Sequence, residues 1–155
     1  MNSSTSASAP RDVDRQAALV AAHEIVIHAP IERVWTLQSG IGRWPEWQPD
    51  VVSAELQGSL QAGTVFRWKA AGLNIVSTLQ VVEPQARIGW TGVSLGMKAV
   101  HHWYFEARGS DTWVKTEESL SGWFARLLKL FDHRFLEKSL VKSLQTLKQR
   151  AERSE

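Results

Sequence analysis

Glu118 and His101 are the two side chains whose type and placement suit proton chemistry. Glu118 shares an alternating face with Thr112, Val114 and Thr116, so strand parity turns it toward the interior. A lone buried carboxylate is costly and is held protonated or paired. Such a group binds a ligand hydroxyl or works as a general acid or base. The competing reading puts Glu118 at a strand end near Gly122, where it reaches water or a backbone donor. His101 shares a face with Trp103 and Phe105, while His102 points to the opposite face. The two histidines therefore cannot ligate one metal from that strand. His101 is either a hydrogen-bonding group in a pocket or an ordinary satisfied histidine. Ser77 and Thr116 are hydroxyls on apolar faces, able to orient a ligand or to rest satisfied in a core.

Other chemistries are absent from the chain. With no cysteine, thiol nucleophiles, iron–sulfur sites and zinc fingers are excluded. His23 and His28 lie five positions apart on a strand and so face opposite ways. No two-histidine, one-carboxylate set accompanies them, so no metal is expected. There is no Gly-x-Ser-x-Gly elbow, phosphate-binding glycine loop or dinucleotide fingerprint, and no cofactor is expected.

The elements that must position these groups follow from periodicity. Ala22 to His28 reads as a strand, ended by Ala29-Pro30, with a short helix from Ile31 to Gln38. Gly40 and Gly42 break that helix. The run Trp44-Pro45-Glu46-Trp47 then forms a rigid irregular loop, either a gate over a pocket or a structural plug. Strands follow at Val51–Gln57, Thr64–Ala70, Leu73–Val82, Arg87–Thr91, Lys98–Ala107 and Thr112–Leu120, separated by Gly-containing or Pro-containing turns. Consecutive short strands with tight turns predict an antiparallel meander. From Trp123 onward the spacing is helical, with a bend expected near Asp132 to Arg134 and a long helix from about His133 to Arg150.

Tryptophan supplies 8 of the chain's 14 aromatic residues, so either the core is bulky or a pocket is lined with them. Parity puts Phe66, Trp68, Ile75, Leu79, Trp90, Trp103 and Phe105 on inward faces. Phe124, Leu128 and Phe131 of the C-terminal segment are expected opposite them. Trp44 and Trp47 stand in the proline-braced loop. Apolar walls with few polar groups fit a small-molecule site, and they also fit a solid core.

The 155 residues are the size of one domain, with a net charge of only +2, which speaks against a nucleic-acid partner. Residues 1–18 read as a disordered tail. The Ala17–Ala22 stretch is too short for a signal-peptide core, and no window suits a membrane span, so a cytoplasmic location is expected. The segment from Trp123 carries eight Lys/Arg against four Asp/Glu. That basic face is expected to be solvated rather than membrane-bound.

The order of elements, one long helix against seven strands, requires the sheet to curl around the helix. It resembles the helix-grip fold of the START-like (SRPBCC) superfamily, and within it the polyketide cyclase/dehydrase and lipid-transport group. The carrying residues are Ile27-His28-Ala29-Pro30-Ile31-Glu32-Arg33-Val34-Trp35, Trp44-Pro45-Glu46-Trp47, Val82-Glu83-Pro84 with Ile88-Gly89-Trp90, Thr112-Trp113-Val114 with Glu117-Glu118 and Gly122, and the helix ending Leu147-Lys148. The resemblance implies an α+β fold, a seven-stranded antiparallel curved sheet around the C-terminal helix, with two short helices between strands 1 and 2. It implies a ligand-binding domain over 19–152, with a cavity holding an apolar or aromatic, lipid-like or polyketide-like molecule. The alternative it carries is a cyclase or dehydratase that uses Glu118 or His101 in the same pocket.

Overall fold

A computed structural model of the chain describes residues 10–153. Its elements are β1 (Leu19–Ile27), α1 (Ile31–Ser39), a 3₁₀ helix (Ile41–Glu46), β2 (Val51–Leu56), β3 (Val65–Ala70), β4 (Leu73–Glu83), β5 (Arg87–Ser94), β6 (Met97–Arg108), β7 (Asp111–Ser121), α2 (Trp123–Phe131) and α3 (Phe135–Glu152). The strands form one seven-stranded sheet in the order β1-β7-β6-β5-β4-β3-β2. Every neighbouring pair is antiparallel. The meander predicted from the turns is therefore present, and β1 joins it by pairing with β7. Register shifts between Val51 and Ser53 and between Leu79 and Val81 bend the sheet. The result is the helix-grip arrangement, with the concave face wrapped around α3.

The local causes are simple. Pro30 is extended, and its carbonyl accepts the Arg33 and Val34 N–H groups to start α1. The helix ends at Gly40, whose backbone leaves the helical region with ψ 64°, a turn in which a Cβ would stand 2.9 Å from the Thr36 carbonyl oxygen. The break between α2 and α3 falls at Asp132, whose backbone is extended and whose carboxylate accepts the Arg134 N–H at 3.0 Å. Two helices therefore replace one, in line with the bend expected near Asp132 to Arg134. α3 turns Leu136, Leu140, Leu144, Leu147 and Ala151 onto the sheet. Arg33 holds its C-terminal end, donating to the Ala151 and Arg153 carbonyls at 2.6 and 3.0 Å.

The expected tail of residues 1–18 divides. Residues 1–9 lie outside the described part. Residues 11–15 are not loose but cross the outer face of the sheet. Val13 is buried, His102 Nε2 donates to the Arg11 carbonyl at 2.7 Å, and the Asp14 N–H donates to Ser119 Oγ at 3.1 Å. Arg15 reaches Glu117 at 3.2 Å. The His102 ring has room because residue 89 is glycine; a Cβ there would lie 2.1 Å from His102 Nδ1. No described helix is long and apolar enough to cross a membrane.

The core forms two clusters. One gathers Ile27, Val34, Trp44, Phe66, Ile88, Trp90, Val114 and Leu147; the other gathers Leu19, Met97, Leu120, Leu136 and Leu140. The space between them holds the site.

Candidate functional site

A half-open cleft runs between α3 and the concave face of the sheet. It has two adjoining lobes, of about 200 and about 330 Å³, whose walls share Trp68, Trp90, Glu118 and Ser139. The larger lobe alone reaches the range of small-molecule sites, about 300–1,000 Å³. The smaller lobe is walled by Trp44, Trp90 and Trp103 and opens beside Asp50 and Lys142. These two exposed charges meet at 2.7 Å, tying α3 to the loop before β2. The larger lobe is walled by Ile75, Ser77, Met97, Leu120, Phe124 and Leu128. Gly92 adds to its room by having no side chain; a Cβ would press on Ser77 Oγ at 3.2 Å.

The wall of the smaller lobe is an aromatic chain. Trp44 packs on Phe66, Trp68 and Trp90 with ring centroids 5.3–5.7 Å apart. Trp90 packs against His101 with ring centroids 5.0 Å apart, and His101 against Trp103 at 5.5 Å, both pairs tilted. Trp44 donates its indole N–H to the Gln38 carbonyl at 3.0 Å and is almost fully buried. Trp44 thus forms part of the cleft wall, packed against the core. Trp68 donates to Ser77 Oγ at 3.0 Å, which satisfies that hydroxyl inside the cleft. The Trp103 indole N–H is buried with no hydrogen-bond partner.

Glu118 borders both lobes, and His101 lines the smaller one beside it. They are direct cross-strand partners on β7 and β6, and Glu118 Oε2 lies 3.6 Å from His101 Nδ1. Thr116 donates to the His102 carbonyl at 3.1 Å, so its oxygen accepts the His101 Nε2–H at 2.8 Å. That chain leaves the His101 Nδ1 lone pair facing Glu118. Burial pushes the Glu118 carboxyl up to about 8. Burial, with a smaller contribution from His102, pulls His101 down to about 3. Both groups are thus neutral near pH 7, and the pair is acid and imidazole rather than an ion pair. At 3.6 Å they touch without a proper hydrogen bond, so the acid O–H and the Nδ1 lone pair keep their capacity. One ligand oxygen bearing a hydrogen can accept from the first and donate to the second.

The expected site residues separate accordingly. Trp44, Trp68, Ile75, Ser77, Trp90, His101, Trp103, Glu118, Phe124 and Leu128 line the cleft. Phe66, Leu79 and Phe105 are buried behind it, and Thr116 orients His101 from the second row. Trp47 faces a separate surface groove with Arg43 and Arg150. Phe131, expected to face the sheet, is 82% exposed, because α2 ends there and its inward stripe is Phe124, Ala125 and Leu128. Periodicity alone missed the helix side of the cleft: Ser139, Ser143 and Thr146 line it beside Leu140. Their i, i+4, i+7 spacing was the available signal. Among the described residues, no group of three or more His, Asp or Glu side chains could hold a metal ion.

A sequence profile described as "polyketide cyclase / dehydrase and lipid transport" matches residues 18–152. No curated protein sequence matches the chain. Several solved structures share its fold. A hypothetical protein from Helicobacter pylori is 16% identical, with TM-score 0.75, covering 90% of this chain and 91% of its own. The Zhui aromatase/cyclase from Streptomyces sp. R1128 is 16% identical, with TM-score 0.74, covering 86% and 93%. A START superfamily protein from Mycobacterium smegmatis is 12% identical, with TM-score 0.69, covering 86% and 97%.

Proposed function

We propose that the chain, which belongs to the polyketide cyclase/dehydrase and lipid transport family, binds an apolar or aromatic small molecule carrying one hydroxyl or carbonyl oxygen. The carrying observation is the neutral Glu118–His101 pair set into the apolar cleft, with Glu118 lining both lobes and His101 the smaller one. Trp68, Trp90 and Trp103 would cover the ligand's planar body, and Ile75, Phe124 and Leu128 its apolar end. The unpartnered Trp103 N–H supplies one more donor beside the smaller lobe. The domain that does this spans 19–152.

A catalytic use of the same pair has its own support. A carboxylic acid with a raised pKa beside a neutral imidazole is suited to move a proton to and from one oxygen or its neighbouring carbon. The Streptomyces neighbour, an aromatase/cyclase, shares the fold. In that reading Glu118 gives and regains the proton, His101 Nδ1 accepts a hydrogen bond that orients the reacting oxygen, and Thr116 holds the imidazole in its Nε2–H form.

Titration of a naphthol into the protein, followed by tryptophan fluorescence, tests the binding reading. Saturable quenching is expected, weakened about tenfold or more by Glu118→Leu, which removes the hydrogen-bonding group. Quenching that is absent, or unchanged in Glu118→Leu, contradicts it.

A further inference from the structure

α2 shows apolar side chains on two sides. Phe124 and Leu128 turn into the larger lobe. Trp123, Leu127, Leu130 and Phe131 turn to solvent, with exposures of 59, 39, 84 and 82%. At about 100° per residue these four fall on one stripe of the helix. The patch extends past the helix. Trp123 lies over Gly96, where a Cβ would meet the indole at 2.4 Å, and the neighbouring Leu95 on the β5–β6 turn is 66% exposed. Contiguous large apolar side chains held in water mark a surface with a partner.

Charge decides which partner. Arg126 is exposed on α2 beside the stripe and Lys129 is exposed one turn on, farther round the helix, where its long stem can still reach a surface met by the stripe; neither has a carboxylate partner among the described residues. Between Trp123 and Phe135 the one acidic residue is Asp132, already held by Lys138 at 2.9 Å. A second copy docking through this face by twofold symmetry would bring two Arg126–Lys129 pairs together, which is unfavourable. An anionic surface that is apolar beneath satisfies both features.

We propose that α2 and the β5–β6 turn dock the protein on anionic lipid bilayers. Trp123, Leu127, Leu130 and Phe131 enter the interface and Arg126 and Lys129 meet the lipid headgroups. The geometry also sets the orientation. Of the residues that line the larger lobe, Phe135 at the start of α3 and Ala71 at the β3–β4 turn are exposed, and Phe124 and Leu128 of α2 are half-buried beside them, which places the lobe's mouth next to α2. Docking through α2 therefore holds that mouth at the membrane, so a ligand passes between bilayer and cleft without crossing bulk water. This purpose rests on the ligand-binding reading above; the docking itself does not.

Co-sedimentation with vesicles tests it, using phosphatidylcholine alone and an equal mixture with phosphatidylglycerol. The intact chain is expected to bind the anionic vesicles and to bind phosphatidylcholine weakly. Leu130→Ser with Phe131→Ser, both on exposed positions, should reduce partitioning about tenfold or more. Arg126→Gln with Lys129→Gln should erase the preference for anionic lipid, about fivefold for each charge. Naphthol quenching in the same variants reports the cleft separately: unchanged quenching with lost partitioning is expected. Failure of quenching in the intact chain, with vesicle binding retained, would overturn the ligand reading and leave the docking standing. Absent vesicle binding, or binding indifferent to the serine substitutions, overturns the docking. So does a dimer in sedimentation analysis that the same serine substitutions dissolve, because the patch is then a self-interface.

Discussion

His101 and Glu118 face each other directly across β6 and β7, with Nδ1 and Oε2 3.6 Å apart in an apolar cleft. Two neighbouring strands thus bring an acid and a base together by register alone. Burial then pushes their pKa values in opposite directions, so that each is neutral at physiological pH. The pair supplies one donor and one acceptor without leaving a bare charge in the core, which is why an apolar pocket can carry it.

Glu118 makes stability depend on pH in a definite sense. Its carboxyl titrates near 4.5 ordinarily and near 8 in the folded protein. Between those values the unfolded chain has released a proton that the native state keeps, so stability falls as pH rises through the interval. Glu118→Gln removes this dependence. Its advantage over the parent in denaturant unfolding should grow from pH 5 to pH 8, by up to about 1 kcal/mol per unit, and level off above. His101 acts at the other end. It titrates near 6.5 ordinarily and near 3 when folded, so its contribution is lost as pH falls through that range.

Thr116 fixes the imidazole. Thr116→Val leaves the His101 Nε2–H without its acceptor and should cost about 1–3 kcal/mol. Nitrogen chemical shifts of His101 should report the Nε2–H form in the parent at pH 7, and a mixture of tautomers in the variant.

The Asp50–Lys142 bridge crosses the mouth of the smaller lobe, and both partners are about 60% exposed. Exposed pairs contribute little stability, about 0–1 kcal/mol, so this one opens readily. Lys142→Ala should raise the association rate of a fluorescent probe and remove its salt dependence, with thermal stability nearly unchanged. Stopped-flow mixing at two salt concentrations is the check.

On the outer face, His102→Ala removes the donor to the Arg11 carbonyl. Hydrogen exchange of the Val13 and Asp14 amides should accelerate, while probe binding in the cleft stays the same. Gly89→Ala should have a similar effect, since the new methyl would displace the His102 ring.

The fold was legible because its signals are local. Strict alternation in Phe66–Ala70 and His101–Phe105, glycines at turns and the Leu136-Leu140-Leu144-Leu147 stripe each mark one feature of the fold. Half of the site was legible for the same reason, since parity alone turns Glu118, His101, Trp68 and Trp90 to one face. The remainder depends on shape. Whether Phe66 lines a cleft or fills a core is decided by how α3 is held off the sheet, and no spacing encodes that distance. Phe131 misled because i, i+4, i+7 spacing groups it with Phe124 and Leu128, whereas as the last residue of α2 it projects past the sheet into solvent. The strap of residues 11–15 was hidden because its Ser/Thr/Ala-rich neighbours resemble a linker, and its anchors, His102 and Ser119, are about a hundred residues away.

The central claim is that the space between α3 and the sheet receives a ligand at Glu118 and His101. Calorimetric titration with 2-naphthol, comparing the parent with Ser139→Trp, tests it most directly. Ser139 is exposed on α3 and borders both lobes, so an indole there blocks the cleft without replacing a core residue. The account predicts one saturable site in the parent, with a negative heat-capacity change, and none in Ser139→Trp at unchanged thermal stability. Equal binding in the two proteins, or no binding in the parent, would contradict it.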